Sequence, residues 1–189
     1  MGEPKQLLRF EGETLLRRAV NAALQTKCRP VIVVLGAEAE TLSQEISDLE
    51  TQVVINGAWQ EGMSSSIRCG IIALDAITSG KAQAAILMLC DQPFVTSIVI
   101  NRLLKKYHDT DAAIVASEYG TGQDKTRGVP ALFSRLLFPD LMQLRGDEGA
   151  KHIIMRHASQ LSAVIVPEAA LDIDSPYDYR KLLGRNHST

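Results

Sequence analysis

The chain has 189 residues, 46% of them hydrophobic, which suits one domain with a single core. Lys plus Arg total 20 against 22 for Asp plus Glu, a formal net charge of -2. That balance excludes a protein that grips duplex nucleic acid through a basic face, and it offers no cationic face to a membrane.

Only 5% of the residues are aromatic, so the core must be aliphatic. No signal peptide or bilayer-spanning apolar run is read, and a cytoplasmic location is expected. Cys28, Cys69 and Cys90 form no C-x-x-C pair and are expected to be reduced thiols. His152 and His157 are five apart and do not stack on one helix face, so a histidine metal site is not expected.

In chain order, Gly2, Pro4 and Lys5 read as a loop. Thr14 to Thr26 reads as a helix with Leu15, Ala19 and Ala22 on one stripe and Thr14 as N-cap. Strands at Pro30–Leu35 and Gln52–Asn56 flank a short amphipathic helix from Thr41 to Leu49. A glycine-bearing loop from Gly57 leads into a helix with Ile67, Ile71 and Leu74 on its apolar side. Ala84-Ala-Ile-Leu-Met-Leu-Cys90 is seven apolar residues long and stops at Asp91-Gln-Pro93. Such a run predicts a central strand buried on both faces of a parallel sheet, with Asp91 at its carboxyl end, where open α/β sheets bind ligands.

A helix from Ser97 to Tyr107 and a strand from Ala112 to Ser117 follow. Alternation at this spacing predicts βαβ units and a mainly parallel α/β sheet. The polar segment 118–127 and Gly128-Val-Pro-Ala-Leu-Phe133 predict a hairpin that adds an antiparallel strand. The chain closes with a short helix from Arg135, a glycine loop at 144–151 entering a helix, a strand at Leu161–Val166, and a final helix with Pro176 in its first turn.

Four polar clusters lie where strands end or helices begin. Gly2 to Lys5 can hold phosphate through backbone N–H groups and one lysine; a solvated lysine is the plainer account. Gly62-Met-Ser-Ser-Ser-Ile-Arg68 offers three hydroxyls and an arginine to an anion or a nucleobase edge, against simple N-capping by one serine. Asp91 and Asp174 could together hold Mg²⁺ against phosphate oxygens. Asp172 and Asp178 compete with Asp174, and helix capping is the alternative for each. Gly146-Asp-Glu-Gly-Ala-Lys-His152 could bind phosphate or be a structural turn capped by Asp147.

Taken together these segments resemble the nucleotidyltransferases that attach a nucleotide to molybdopterin, and among them the molybdenum cofactor cytidylyltransferases. The matching residues are Met1-Gly-Glu-Pro-Lys-Gln-Leu-Leu8, Gly12 with Thr14-Leu-Leu16, and Asn56 with Trp59 and Gly62–Gly70. Cys90-Asp-Gln-Pro93, Gly128–Phe133, Gly146–Lys151 and Asp172–Tyr179 complete them in order. The resemblance implies a Rossmann-like, three-layer α/β/α nucleotidyltransferase fold over 1–189, with a mostly parallel sheet and one antiparallel strand. It also implies Mg²⁺-dependent transfer of CMP from CTP to the terminal phosphate of molybdopterin, with release of pyrophosphate.

Carried over, Lys5 and Asp91 are the catalytic residues, and Asp91 and Asp174 the Mg²⁺ ligands. Gly2, Lys5, Ser64, Ser65, Ser66, Arg68, Gln92 and Pro93 meet the nucleotide. Gly128, Pro130, Gly146, Asp147, Gly149 and Lys151 meet the acceptor. A molybdoenzyme or its maturation chaperone is the implied protein partner.

Three departures accompany the resemblance. The family normally opens with a strand and a loop resembling Leu-Ala-Ala-Gly-x-Ser-x-Arg just ahead of the Met-Gly-x-Pro-Lys point, where this chain begins. The first strand and half the phosphate loop are therefore expected to be missing, with that strand belonging between those ending at Leu35 and Leu89. Val129 replaces a residue that is often polar, and Lys151 one that is often arginine. Other expectations are transfer from GTP, transfer to another phosphorylated acceptor, and a non-catalytic molybdopterin carrier.

Overall fold

The computed structural model describes residues 4–120, 125–173 and 175–185. A 3-10 turn at Lys5–Leu7 leads into a minimal hairpin, β1 (Arg9–Phe10) and β2 (Glu13–Thr14). Its turn residues Glu11 and Gly12 have φ of 53° and 87°, as two-residue hairpin turns of the primed type require. Helix α1 (Leu15–Leu24) starts at the expected cap, with the Thr14 hydroxyl accepting from the Arg17 N–H.

Strand β3 (Ile32–Leu35), helix α2 (Ala39–Glu45) and strand β4 (Gln52–Ile55) form a βαβ unit with parallel pairing, Val33 opposite Val53. Next come α3 (Met63–Thr78), β5 (Ala84–Leu87), α4 (Ser97–Asp109), β6 (Ile114–Tyr119) and β7 (Thr126–Ser134). The chain ends with α5 (Phe138–Gln143), α6 (Ala150–Arg156), β8 (Leu161–Ile165) and α7 (Pro176–Arg185).

The four-stranded sheet has the order β5-β7-β6-β8. β7 runs antiparallel to both β5 and β6, and β8 runs parallel to β6, so β7 alone opposes the other three. This is the expected mixed sheet, with β7 as the hairpin's antiparallel strand.

Side chains alternate across it. Ile114, Ala116, Ala131 and Phe133 face α3, α5 and α6 in the largest core cluster, while Val115 and Leu132 meet Leu103 of α4. Over β3, Leu16 and Val20 of α1 pack with Leu42 of α2 and the following Ile46 against Leu35, and α1 also lies against α4. The result is three layers, helices–sheet–helices.

The strand read as buried on both faces differs from expectation. β5 covers only Ala84–Leu87 and every residue in it is half-buried. Its hydrogen-bonded neighbour is β7, and that of β3 is β4, so β3 and β5 are not paired with each other. Helix α3 spans both strands: Ile32, Ala85 and Leu87 all pack against its cluster, and Gly70 lies against Val34. The physical reason for the half-burial is an edge of β5 with no strand beside it among the described residues.

Candidate active site

Three residues beyond β5 the chain turns, and the turn carries Asp91, which is 7% exposed. Its Oδ2 accepts from Lys5 Nζ at 2.5 Å, across 86 positions of sequence. Its Oδ1 is buried with no hydrogen-bond partner among the described residues. Asp91 does not cap α4: the N-cap there is Thr96, and its side chain makes no cap bond.

Four tethers hold the turn. Val95 N–H donates to Gln92 O at 3.1 Å, and Ile173 N–H to Asp91 O at 2.9 Å. Gln92 Nε2 reaches Val129 O at 3.2 Å, and Arg18 Nε reaches Pro93 O at 2.7 Å. The Ile173 bond brings the chain to the position before Asp174; Asp174 and Gly2 lie outside the described residues. Burial pushes the neighbouring Cys90 thiol up to about 11, helped by the Asp91 charge, so this cysteine stays protonated at neutral pH.

The second cluster, at the start of α3, is bound up with the protein itself. Gly62 takes the N-cap position with φ of 97°, and no serine caps the helix. Ser64 and Ser65 are buried. Ser65 Oγ donates to Gly62 O and accepts from Asn56 Nδ2, which also reaches Ser66 Oγ at 3.1 Å. Arg68 donates to Ser64 Oγ, to Leu144 O and to Glu61, so its guanidinium ties α3 to the loop after α5. Asn56 was not among the expected site residues. The signal for it was a polar residue at the carboxyl end of β4, the position Asp91 holds after β5.

The two glycine loops meet. A Cβ on Gly62 would stand 2.6 Å from Gly146 O, and Ser64 N–H donates to that same carbonyl at 3.1 Å. Close backbone approach of this kind needs glycine. Gly149 is the N-cap of α6 and lies near Met63, while Lys151 is exposed. Asp147 makes no side-chain cap bond; Glu148 instead accepts from the Arg145 N–H.

In β7 the Tyr119 hydroxyl crowds Gly128, and Pro130 O accepts from Ser117 Oγ. Burial and the nearby Asp172 charge raise the Tyr119 phenol. Asp178 serves the capping role foreseen as its alternative, its Oδ2 accepting from both N–H and hydroxyl of Ser175.

Residues 1–161 match the MobA-like NTP transferase domain. The chain belongs to that family. It is a nucleotidyltransferase, with the fold of its solved relatives. Rv0371c from Mycobacterium tuberculosis H37Rv is 30% identical, with a TM-score of 0.82 over 97% of this chain and 90% of that one. A manganese complex of Rv0371c is 29% identical, with a TM-score of 0.77 over 97% and 93%. Nicotine blue oxidoreductase from Paenarthrobacter nicotinovorans is 30% identical over 150 residues, 78% of this chain and 71% of that protein. Among the described residues, no helix of this MobA-like chain is long and apolar enough to cross a membrane.

Proposed function

We propose that this MobA-like transferase is a Mg²⁺-dependent cytidylyltransferase that joins CMP from CTP to the terminal phosphate of molybdopterin and releases pyrophosphate. The observation that carries the reading is the Asp91 turn, with Lys5 on one carboxylate oxygen and the other buried and bare. A buried charged oxygen left without a partner is costly, and a hard divalent cation relieves that cost.

Asp91, together with Asp174, would hold the ion. Among the described residues no three His, Cys, Asp or Glu side chains cluster, so water and phosphate oxygens complete the shell, a mode that suits Mg²⁺. The mycobacterial relative solved as a manganese complex is consistent with use of a divalent cation. When bound, the ion offsets the repulsion between the phosphates of the two substrates.

Lys5 supplies a point charge to the nucleotide phosphates as pyrophosphate leaves. Ser64, Ser65, Ser66, Arg68, Gln92 and Pro93 line the nucleotide side, with Gly2. Gly128, Pro130, Gly146, Asp147, Gly149 and Lys151 line the acceptor side. The Gln92–Val129 bond and the Gly62–Gly146 contact support this division, since each joins a nucleotide segment to an acceptor segment. Protein chemistry here is positioning and charge neutralisation; the acceptor phosphate attacks the α-phosphorus in line.

The choice of CTP rests on the resemblance in the motifs. Pyrophosphate release from CTP and from GTP, each with molybdopterin and Mg²⁺, tests it. CTP is expected to be the better substrate by at least about tenfold in kcat/KM, a difference of about 1.4 kcal/mol. Preference for GTP overturns the cytidylyl assignment, and binding of molybdopterin without turnover of either nucleotide overturns the enzyme in favour of a carrier.

A further inference from the structure

We infer that Arg18 is a positioning residue that holds the Asp91 turn in its metal-accepting shape. The inference rests on the reading of Asp91 as a metal ligand given above. Arg18 lies in the second half-turn of α1, 73 positions before Asp91 in sequence, and touches neither Asp91 nor Lys5 in any hydrogen bond described. Its guanidinium nonetheless has three simultaneous partners. Nε donates to Pro93 O at 2.7 Å, Nη1 pairs with Glu11 Oε2 at 2.8 Å, and the guanidinium carbon stands 4.9 Å from the centre of the Phe10 ring.

Each partner is itself anchored. Phe10 is 1% exposed and packs edge-on against Phe94, the residue after Pro93, with ring centres 5.5 Å apart. Glu11 sits in the left-handed region, an unfavourable place for a residue with a side chain, and that conformation turns its carboxylate onto Arg18. The hairpin β1–β2, Arg18 and the 91–94 turn are thus one linked unit. Only a planar fork can serve all three contacts, because an ammonium has neither the plane to lie on Phe10 nor separated donors for a carbonyl and a carboxylate.

The consequence for Asp91 is geometric. The other backbone tethers fix Asp91 O and Gln92 O, and Arg18 fixes Pro93 O, two residues on from Asp91. Without it, Pro93 O loses its partner and the turn is held at fewer points, so Oδ1 is less firmly directed. Groups that orient a ligand without touching the metal commonly change metal affinity by roughly 10–100-fold.

The test is Mn²⁺ binding by electron paramagnetic resonance, on the full chain without nucleotide, for Arg18→Lys, Glu11→Gln and Asp91→Asn, with circular dichroism as the folding check. Arg18→Lys is expected to raise the Mn²⁺ Kd by roughly tenfold or more. Glu11→Gln should shift it in the same direction by a smaller factor, and the KM for CTP at saturating metal should stay within about twofold. An unchanged Mn²⁺ Kd in folded Arg18→Lys, with binding lost in Asp91→Asn, overturns this inference alone. Wild-type affinity in Asp91→Asn overturns the metal reading and this inference with it. If Arg18→Lys does not fold, Glu11→Gln decides, and an unchanged Kd there overturns the positioning role.

Discussion

Asp91 has two oxygens in different circumstances, one on Lys5 and one buried with no partner among the described residues, and its replacement separates charge from shape. Asp91→Asn keeps the volume and the backbone tether to Ile173. It is expected to leave the melting temperature within a few degrees while lowering Mg²⁺-dependent turnover by roughly 10²–10³, the usual cost of losing one charge-stabilising group. Steady-state kinetics at saturating metal check this, and unchanged turnover would mean the site lies elsewhere. Cys90 offers a pH test. Its pKa is raised from 9.0 to about 11 in the folded chain, so the fold binds more protons than the unfolded chain between those values. Its contribution to stability is therefore complete below pH about 9 and lost as pH rises toward about 11. Urea titrations across that range should show a falling stability whose slope is smaller in Cys90→Ala. Lys5 and Asp91 were each legible in sequence as site residues, through the motif resemblance and a carboxylate at a strand end, but their direct pairing was not. The role of Arg18 was not legible either, since a helical arginine reads as surface until its partners are known, and Asn56 was read only as a motif residue until its bonds to Ser65 and Ser66 were seen.

At the level of elements, apolar patterning and turn residues identified each strand of the main sheet and each α-helix described, with boundaries shifted by a few residues, while short 3-10 turns such as Lys5–Leu7 were read as loop. The hairpin β1–β2 escaped because two-residue strands have no period, and Glu-Gly is not a pair that announces a positive-φ turn. For β5 the apolar run gave the right element and the wrong surroundings. Seven apolar residues describe a strand with neighbours on both sides, while among the described residues β5 pairs only with β7. We propose that an extended apolar segment occupies the slot between β3 and β5, roofed by α3 on one face and flanked by α1 and α4 on the other. Each buried backbone group that gains a partner there is worth roughly 1–3 kcal/mol. An N-terminal extension carrying such a strand should raise the melting temperature by several degrees. It should also slow hydrogen exchange at amides of Ile32–Leu35 and Ala84–Leu87. Unaltered exchange at both strands would rule the slot out.

For the whole molecule, the small net charge and the three-layer fold agree with an enzyme that takes anionic substrates at one local site. Family membership was legible because its motifs are spread along the chain and folding gathers several of them at strand ends. The choice between nucleotides was not, because Ser64, Ser65 and Arg68 point their polar atoms at the protein. One contact made at this scale is the bond from Ile173 to Asp91, opposite in sequence to the one from Lys5. Ile173 and Leu182 also share a buried cluster with Phe10 and Leu15, so early and late segments of the chain close on each other around the same turn. Contacts so distant in sequence form late, after local elements are in place. During synthesis the Asp91 turn would emerge with Lys5 already available, yet wait for some eighty more residues before its backbone tether arrived. Released chains truncated at Val166 should keep the helices up to α6 and fail to retain Mn²⁺, and chains that run past Leu182 should retain it. Capture of the ion would then mark the moment when the segment around Ile173 closes onto the Asp91 turn.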